Sequence, residues 1–516
     1  MSTASRLFLL AAVAVGLFLR LVHFRDWPPG PWIDEAYAVN AARALTKAPA
    51  APFFGLTPLE PPDAGFVNFY VPNPYLYATK VVDRLAGGGL ATLRAASILP
   101  SLVLLLGALG LAWEASRGRR AVLLSSALLL ATSMWLLTTG RWGWHAVSSA
   151  ALLVLSAWAA LAAQRRGSNL LAALAGLFLG AAQYGYPAAR LGFLVPLVLL
   201  LIDIARRERR AAVRAAVFAG VALVVSSPLV VELFRHPERS LAREKELAIV
   251  WKDPAALARN AVSYAALFFV RGDENERHGD PSRPVVPAPV AGLAVLGLGG
   301  ALSRPGAERT LALWASVFLL GGLLSRGGAN AYRISPAAPF LLVLAALGGA
   351  FLVERIPLER RRLGTVLVLA LVLVSAASDV TAFASWAKSP RTWGAFGGPE
   401  RELADALVEE GGRGEAPLVL DPRSGARNYH VVEALVGGPG DVGRRVSALD
   451  LSRLPEGSGL RREILYADGG VLERSGRLTH FAGRVVRRGA DPWGAPTWVL
   501  YRLPAGASAS AASSAR

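Results

Sequence analysis

Long apolar runs recur along the chain near residues 7–24, 93–113, 121–138, 145–163, 169–185, 191–205, 212–233, 288–303, 309–325, 335–353 and 363–385. Each is long enough, alone or with its flanks, to form a membrane-crossing helix. The polar stretches between them fall into two alternating sets. One set is short and basic: EASRGRR (114–120), QRR (164–166), RRERR (206–210) and ERIPLERRR (354–362). The other is longer or aromatic, at 25–92, 139–144, 186–190, 234–287 and 326–334. Short basic loops stay in the cytoplasm, so eleven spans put the N-terminus inside and everything after about residue 390 outside. Arg20 and Arg25, at the outer end of the first run, oppose this orientation, and the four later basic loops outvote them. The first run continues into Arg25-Asp26-Trp27 without a small-residue cleavage site, and it reads as a retained signal anchor.

Beyond residue 390 the periodicity changes. ERELADALVEE (400–410) has helical spacing, while PLVLD (417–421) and WVLYRL (498–503) read as strands. This pattern predicts a small extracytoplasmic α/β domain over 390–516 with a disordered Ala/Ser tail, following an all-α membrane domain over 1–389.

Composition narrows the class. The chain has 516 residues, is 53% hydrophobic and only 18% charged, as expected of a polytopic membrane protein. The net charge of +18 is not that of a nucleic-acid groove, because from residue 390 onward 17 Lys and Arg stand against 15 Asp and Glu. The excess sits in the membrane part, mostly in its short loops, so nucleic acid is not an expected partner. Without a cysteine, the chain has no thiol nucleophile, disulfide or thiolate metal site.

Candidate chemistry lies in the non-basic stretches. PWIDEAY (31–37) places Asp34 and Glu35 at the start of a predicted helix, with Ile33, Tyr37, Ala41 and Ala44 on one face, as suits a helix lying on the membrane surface. Asp34 could simply be an N-cap and Glu35 a first-turn acid facing the helix dipole. Capping alone does not explain the rigid WPPGPW lead-in, which would hold the pair in a fixed place, and on pattern alone the functional and capping readings stand level. FYVPNPYLYATKVVDRL (69–85) predicts a second outer helix, starting at Asn73 with Pro74 in its first turn.

In order, the outer acid pair, NPYLY and LRAASILPSLVLLL (93–106) resemble the opening of the GT-C glycosyltransferases. They resemble most the protein mannosyltransferase and aminoarabinose transferase (PMT/ArnT-type, glycosyltransferase family 39/83-type) branch. GRWGWHA (140–146), VRGDENERHGDPSRPVVPAPVAGL (270–293) and ANAYRISPAAPFLLVLAALG (329–348) are similar to later segments of that branch, and the resemblance covers residues 7–385. It implies about eleven transmembrane helices with two outer juxtamembrane helices. It also implies transfer of a sugar from a polyprenyl-phosphate lipid, such as undecaprenyl phosphate, to a lipid, glycan or protein acceptor at the outer face of the bacterial inner membrane.

Such transfer needs a base for the acceptor and cations for the leaving phosphate. Asp34 is the expected base, and Glu35 a supporting acid that raises its pKa by like-charge repulsion. Arg333 is the expected phosphate ligand at the mouth of a span, with Arg141, Arg190 and Arg271 as second choices. Tyr37, Asn73, Tyr75 and Tyr332 complete the expected substrate-binding set, the tyrosines as cavity wall or interface aromatics like Tyr77. The relatives carry an acid–Lys pair, contacting metal and phosphate, where this chain has Pro72 and Asn73. His278, near Asp273 and Glu274, could touch a metal but reads more simply as a solvated loop histidine, so no cofactor or metal is expected. A transporter or lipid flippase is the alternative reading, but acids and arginines crowd one outer surface and no inverted repeat is visible. A non-catalytic assembly subunit is a third.

The orientation is testable directly. Alkaline phosphatase fused near Gly398 is expected to be active in cells, and a cytoplasm-dependent fluorescent fusion at the same point dark. The reverse result would require an even number of spans.

Overall fold

The computed structural model describes residues 3–45, 52–58, 70–237, 253–304, 306–411, 418–420, 429–437, 447–448, 451, 460, 463–479 and 481–505. The Ala/Ser tail lies outside the described residues. Two compact units are each drawn from three segments: residues 1–24, 52–75 and 96–386 form the first, and residues 25–51, 76–95 and 387–516 the second.

The first unit is a helical bundle. Its helices are α1 (Thr3–Leu21), the start of α3 (Asn73–Ala86), most of α4 (Gly89–Ser116), α5 (Arg120–Thr132), α6 (Met134–Thr139), α7 (His145–Arg166), α8 (Asn169–Ala182), α9 (Leu194–Ala205), α10 (Arg209–Arg235), α11 (Pro254–Phe269), α12 (Ala288–Leu302), α13 (Ala307–Leu323), α14 (Ala338–Glu354) and α15 (Arg361–Ala387). The remaining helices, α2 (Ile33–Ala44), α16 (Pro390–Ala395), α17 (Gly398–Gly411), α18 (Tyr429–Val436) and α19 (Val471–Arg474), belong to the second unit. The eleven apolar runs fall on α1, α4–α10 and α12–α15, and six helices among the described residues are long and apolar enough to cross a membrane. This is a multi-pass membrane protein. One expectation is corrected: the 234–287 stretch is not a plain loop, because Pro254 opens α11 and the Asp253 carboxylate caps it, accepting from Ala256 N–H at 3.0 Å.

Two local devices shape the bundle. The run at 121–138 is broken at Ser133 into α5 and α6. Arg20, fully buried on α1, satisfies the break by donating to the carbonyls of Leu130 and Ala131 at 3.3 Å each and to Ser101 Oγ at 3.0 Å. Arg20 is therefore an internal cap rather than a loop charge, and it drops out of the topology count. α12 and α14 touch backbone to backbone: a Cβ on Gly297 would lie 1.8 Å from Leu344 O, and one on Gly348 would lie 1.9 Å from Leu293 O.

The second unit holds a sheet of order β4-β3-β5-β7-β6, formed by β3 (Leu418–Leu420), β4 (Ser447–Ala448), β5 (Ile464–Asp468), β6 (Arg484–Ala490) and β7 (Pro496–Leu503). β1 (Leu56–Pro58) and β2 (Tyr70–Pro72) pair separately in the first unit. The period of two divides β5: Leu465 and Ala467 pack with Leu403 and Leu407 of α17, while Ile464 and Tyr466 pack with Phe481 and Leu472 on the other face.

α2 is enclosed rather than lying half-exposed on a surface: Ala36, Tyr37, Ala38, Val39 and Ala42 are all buried. Within the second unit it packs on α18 through Ala36, Val431 and Ala434. Arg43 then makes a two-pronged ion pair with Asp83 of α3, both contacts 2.9 Å, and donates to the carbonyls of Ala434 and Gly437 at 3.2 Å. Both ionic partners are buried, so removing one leaves a bare charge. Arg43→Ala is expected to cost about 3–5 kcal/mol of stability, and Arg43→Met combined with Asp83→Leu much less. Denaturant melts of the purified protein check this, and equal losses in the single and double variants would show the pair is immaterial.

Candidate active-site elements

Trp32, not Asp34, occupies the cap position of α2. Its carbonyl accepts the first helical bond, from Ala36 N–H at 3.3 Å, and its N–H donates to Glu35 Oε2. Asp34 is thus the second residue of the helix and is half-buried, so the capping explanation of this acid falls away. Glu35 is fully buried, and its other oxygen, Oε1, accepts from Arg94 Nη1 at 3.1 Å.

Arg94 was not singled out from the sequence. It is fully buried near the start of α4, and its Nη2 donates to the carbonyls of Pro28, at 3.2 Å, and Gly30. Phe396 lies under its guanidinium at 5.9 Å. Gly30 has no room for a side chain, because a Cβ would come within 2.0 Å of Phe396 O. The WPPGPW lead-in is therefore pinned by one arginine, and both Glu35 oxygens are engaged in holding it. Tyr37, expected at a substrate wall, is buried edge-on to His430 with ring centroids 5.6 Å apart.

The remaining candidates lie in the first unit. Four stretches read separately from the sequence meet in an aromatic cluster. Tyr332 is 4.9 Å from Trp142, 5.5 Å from Tyr186 and 5.6 Å from the His278 ring, measured between centroids, and stacks on His278 at 17°. Tyr75 donates to Gly143 O at 3.1 Å and packs against His145. Next to Tyr332, Arg333 is half-buried. Its Nη1 bonds Ser325 Oγ at 3.3 Å and the Arg326 carbonyl, and Asn330 Oδ1 accepts from its backbone N–H at 3.0 Å. These contacts hold the guanidinium by one edge.

The other expected residues are placed differently. Arg141 is buried, bonded to Val22 O and stacked on Phe383 at 5.4 Å. Arg190 is half-buried on the short 3₁₀ turn Pro187–Phe193. Arg271 is exposed and faces Glu274 at 3.5 Å. Asn73 uses both ends of its amide within the fold, donating to Pro52 O at 2.8 Å and accepting from Thr57 Oγ1 at 2.6 Å.

His278 is not a solvated loop residue. It is buried, and its Nδ1 shares a 2.6 Å hydrogen bond with Asp273 Oδ2. Asp273 also accepts from Asn275 N–H at 2.9 Å and Ala331 N–H at 2.7 Å, tying this loop to the Tyr332 segment. Among the described residues, no three His, Cys, Asp or Glu side chains converge as metal ligands, and Pro72 and Asn73 offer no acid. Among the described residues this donor set does not fit a metal.

The fold is similar to that of ArnT from Cupriavidus metallidurans. That protein has been solved bound to undecaprenyl phosphate and in the apo state, each with a TM-score of 0.60 and 16% identity over 98% of this chain and 99% of the other. The apo oligosaccharyltransferase of Archaeoglobus fulgidus is similar over 84% of this chain and 64% of its own, with a TM-score of 0.50 and 12% identity. No protein-family model and no curated protein sequence matches the chain. The likeness establishes the architecture, the GT-C fold expected from the sequence.

The Asp273–His278 pair predicts a pH response. Burial alone would raise the Asp273 carboxyl, but the bonds from His278, Asn275 and Ala331 outweigh it and hold the group below the usual carboxylate range. Burial pulls His278 below its ordinary value despite the opposing pull of Asp273. With both folded values below the unfolded ones, the unfolded chain binds more protons, and stability falls on acidification. The histidine contribution disappears from about pH 6.5 downward, and the aspartate contribution below about pH 4. Melting temperatures of the purified protein between pH 8 and 5 should fall, and His278→Asn should flatten that slope. An unchanged slope in the variant would remove this pair as the cause.

Proposed function

We propose that the chain is an inverting glycosyltransferase that moves a sugar from a polyprenyl-phosphate lipid to an acceptor hydroxyl or amine at the outer face of the cytoplasmic membrane. The observation that carries this reading is the position of Asp34. It is a half-buried acid on a helix start after the first span, in a chain whose whole length follows the GT-C fold. The similar ArnT was solved with undecaprenyl phosphate, which supports a lipid of that class as donor.

In the proposed reaction Asp34 takes the acceptor proton while the acceptor oxygen or nitrogen attacks the anomeric carbon from the face opposite the phosphate. The bond from that carbon to phosphate oxygen breaks, and the lipid phosphate leaves with the electron pair. Arg333 is the proposed ligand for a lipid phosphate, with a guanidinium already fixed along one edge. Glu35 and Arg94 are positioning residues that keep the loop carrying Asp34 in place. In this reading residues 1–389 form the catalytic membrane domain and residues 390–516 an extracytoplasmic domain. A transporter reading is weaker because buried charges on the helices, such as Arg20 and Asp379, which pairs with loop Arg283 at 2.7 Å, are committed to structural bonds.

Asp34→Asn keeps the side-chain shape and removes the proton acceptor. Transfer from a polyprenyl-phosphate sugar should fall by at least about a hundredfold, with melting temperature and membrane yield unchanged. Arg333→Ala should weaken donor use, with Arg333→Lys restoring only part because lysine lacks the fork. Normal turnover by purified Asp34→Asn protein would end the catalytic assignment.

A further inference from the structure

A cavity of about 350 Å³ opens at the basic-loop end of the first unit, among the ends of α7, α8, α9, α10 and α13. Its lining mixes apolar side chains, set deeper along α9 and α10, with charged ones nearer the helix ends. Leu199, Ile202 and Phe218 are among its apolar lining, and Arg206, Arg214, Arg309, Asp203 and Glu208 are its charged lining. It lies beside a surface made for lipid: Leu197, Leu201 and Ile204 of α9 and Val213 and Val224 of α10 are exposed.

The arginines of this cavity differ from their neighbours. At the same end of the bundle, Arg119 pairs with Glu308 at 2.5 Å, Arg304 with Glu354 at 2.9 Å, and Arg165 and Arg166 with Glu114 at 2.7 and 2.8 Å. Among the described residues, Arg206, Arg214 and Arg309 make no ion pair within 4 Å. Arg214 is half-buried, and its Nε is buried with no hydrogen-bond partner among the described residues, so a donor is left for a ligand in the cavity to meet.

We infer that this cavity binds a phospholipid whose headgroup is a phosphate ester carrying a primary ammonium, phosphoethanolamine. Three arginines at headgroup depth meet the phosphate. Asp203 and Glu208, which would repel a purely anionic headgroup, meet the ammonium. The apolar lining receives the start of an acyl chain. The inference is independent of the proposed transferase chemistry, because it concerns the opposite end of the bundle from the aromatic cluster and is read by stability rather than turnover.

The test uses full-length protein, purified in detergent and stripped of lipid, with melting followed by tryptophan fluorescence. Dioleoyl-phosphatidylethanolamine in mixed micelles should raise the melting temperature by roughly 3 °C or more through preferential binding to the folded state. Dioleoyl-phosphatidylglycerol should do less, and dioleoylglycerol and free phosphoethanolamine little. Arg214→Gln and Arg206→Gln should each abolish most of the shift. Glu208→Gln, which changes only an exposed rim residue, should level the two phospholipids even if Arg214→Gln folds poorly. Three results would each overturn the assignment: an equal shift with dioleoylglycerol, an equal shift with free phosphoethanolamine, or retention of the full preference in Glu208→Gln. The free-ester result would point to a soluble phosphate compound instead.

Discussion

A guanidinium cannot be buried bare, and the fold is organised around that constraint. Desolvating a cation costs several kcal/mol unless its donors find acceptors. Arg94 finds them in Glu35 and in the Pro28 and Gly30 carbonyls, so the segment before α2 has one conformation rather than many. Arg43 does the same between α2, α3 and α18, and Arg20 at the broken end of α5. In each case a single side chain collects backbone carbonyls that no helix or sheet could satisfy. These arginines work less as charges than as multi-pronged donors that close irregular backbone.

This division of labour separates the two acids of PWIDEAY. Glu35 has no exposed surface and both oxygens engaged, while Asp34, one position earlier, is half-buried. Neighbours in sequence thus point into different environments because successive helix positions are about 100° apart. An acid meant to accept a proton needs access, and an acid meant to hold a loop needs enclosure. In the first unit, Asp273 is the enclosed kind, fastening a loop histidine against Tyr332.

Much of this architecture was legible in the sequence. The long apolar runs marked helices, six of them among the described residues long and apolar enough to cross a membrane, and the Asn-Pro pair marked the start of α3. The tail helix and the last strand were readable because 3.6 and 2 are strong periods. What could not be read were pairings across long separations. Nothing near Arg94 in the chain hints at Glu35, 59 residues earlier, and nothing near Arg43 hints at Gly437, 394 residues later. Arg20 was counted as a loop charge because its acceptors are main-chain carbonyls, which carry no residue signature. His278 was read as solvated for a related reason: loop composition is polar whether or not the loop folds over its own histidine. The enclosure of α2 was missed because its face toward α18 is built of alanines, which do not stand out as a stripe.

The clasp of Arg43 on Ala434 and Gly437 also sets an order of events during synthesis. The helix that carries Asp34 emerges early, yet two of its acceptors are made about 390 residues later. At about 5–20 residues per second, the ribosome needs roughly 20–80 seconds to supply them. Until then α2 lacks the partner that encloses it, and a helix of 12 residues is marginal by itself. A chain released early would therefore carry its acid without a settled place to hold it. The clasp closes only once residue 437 has been made.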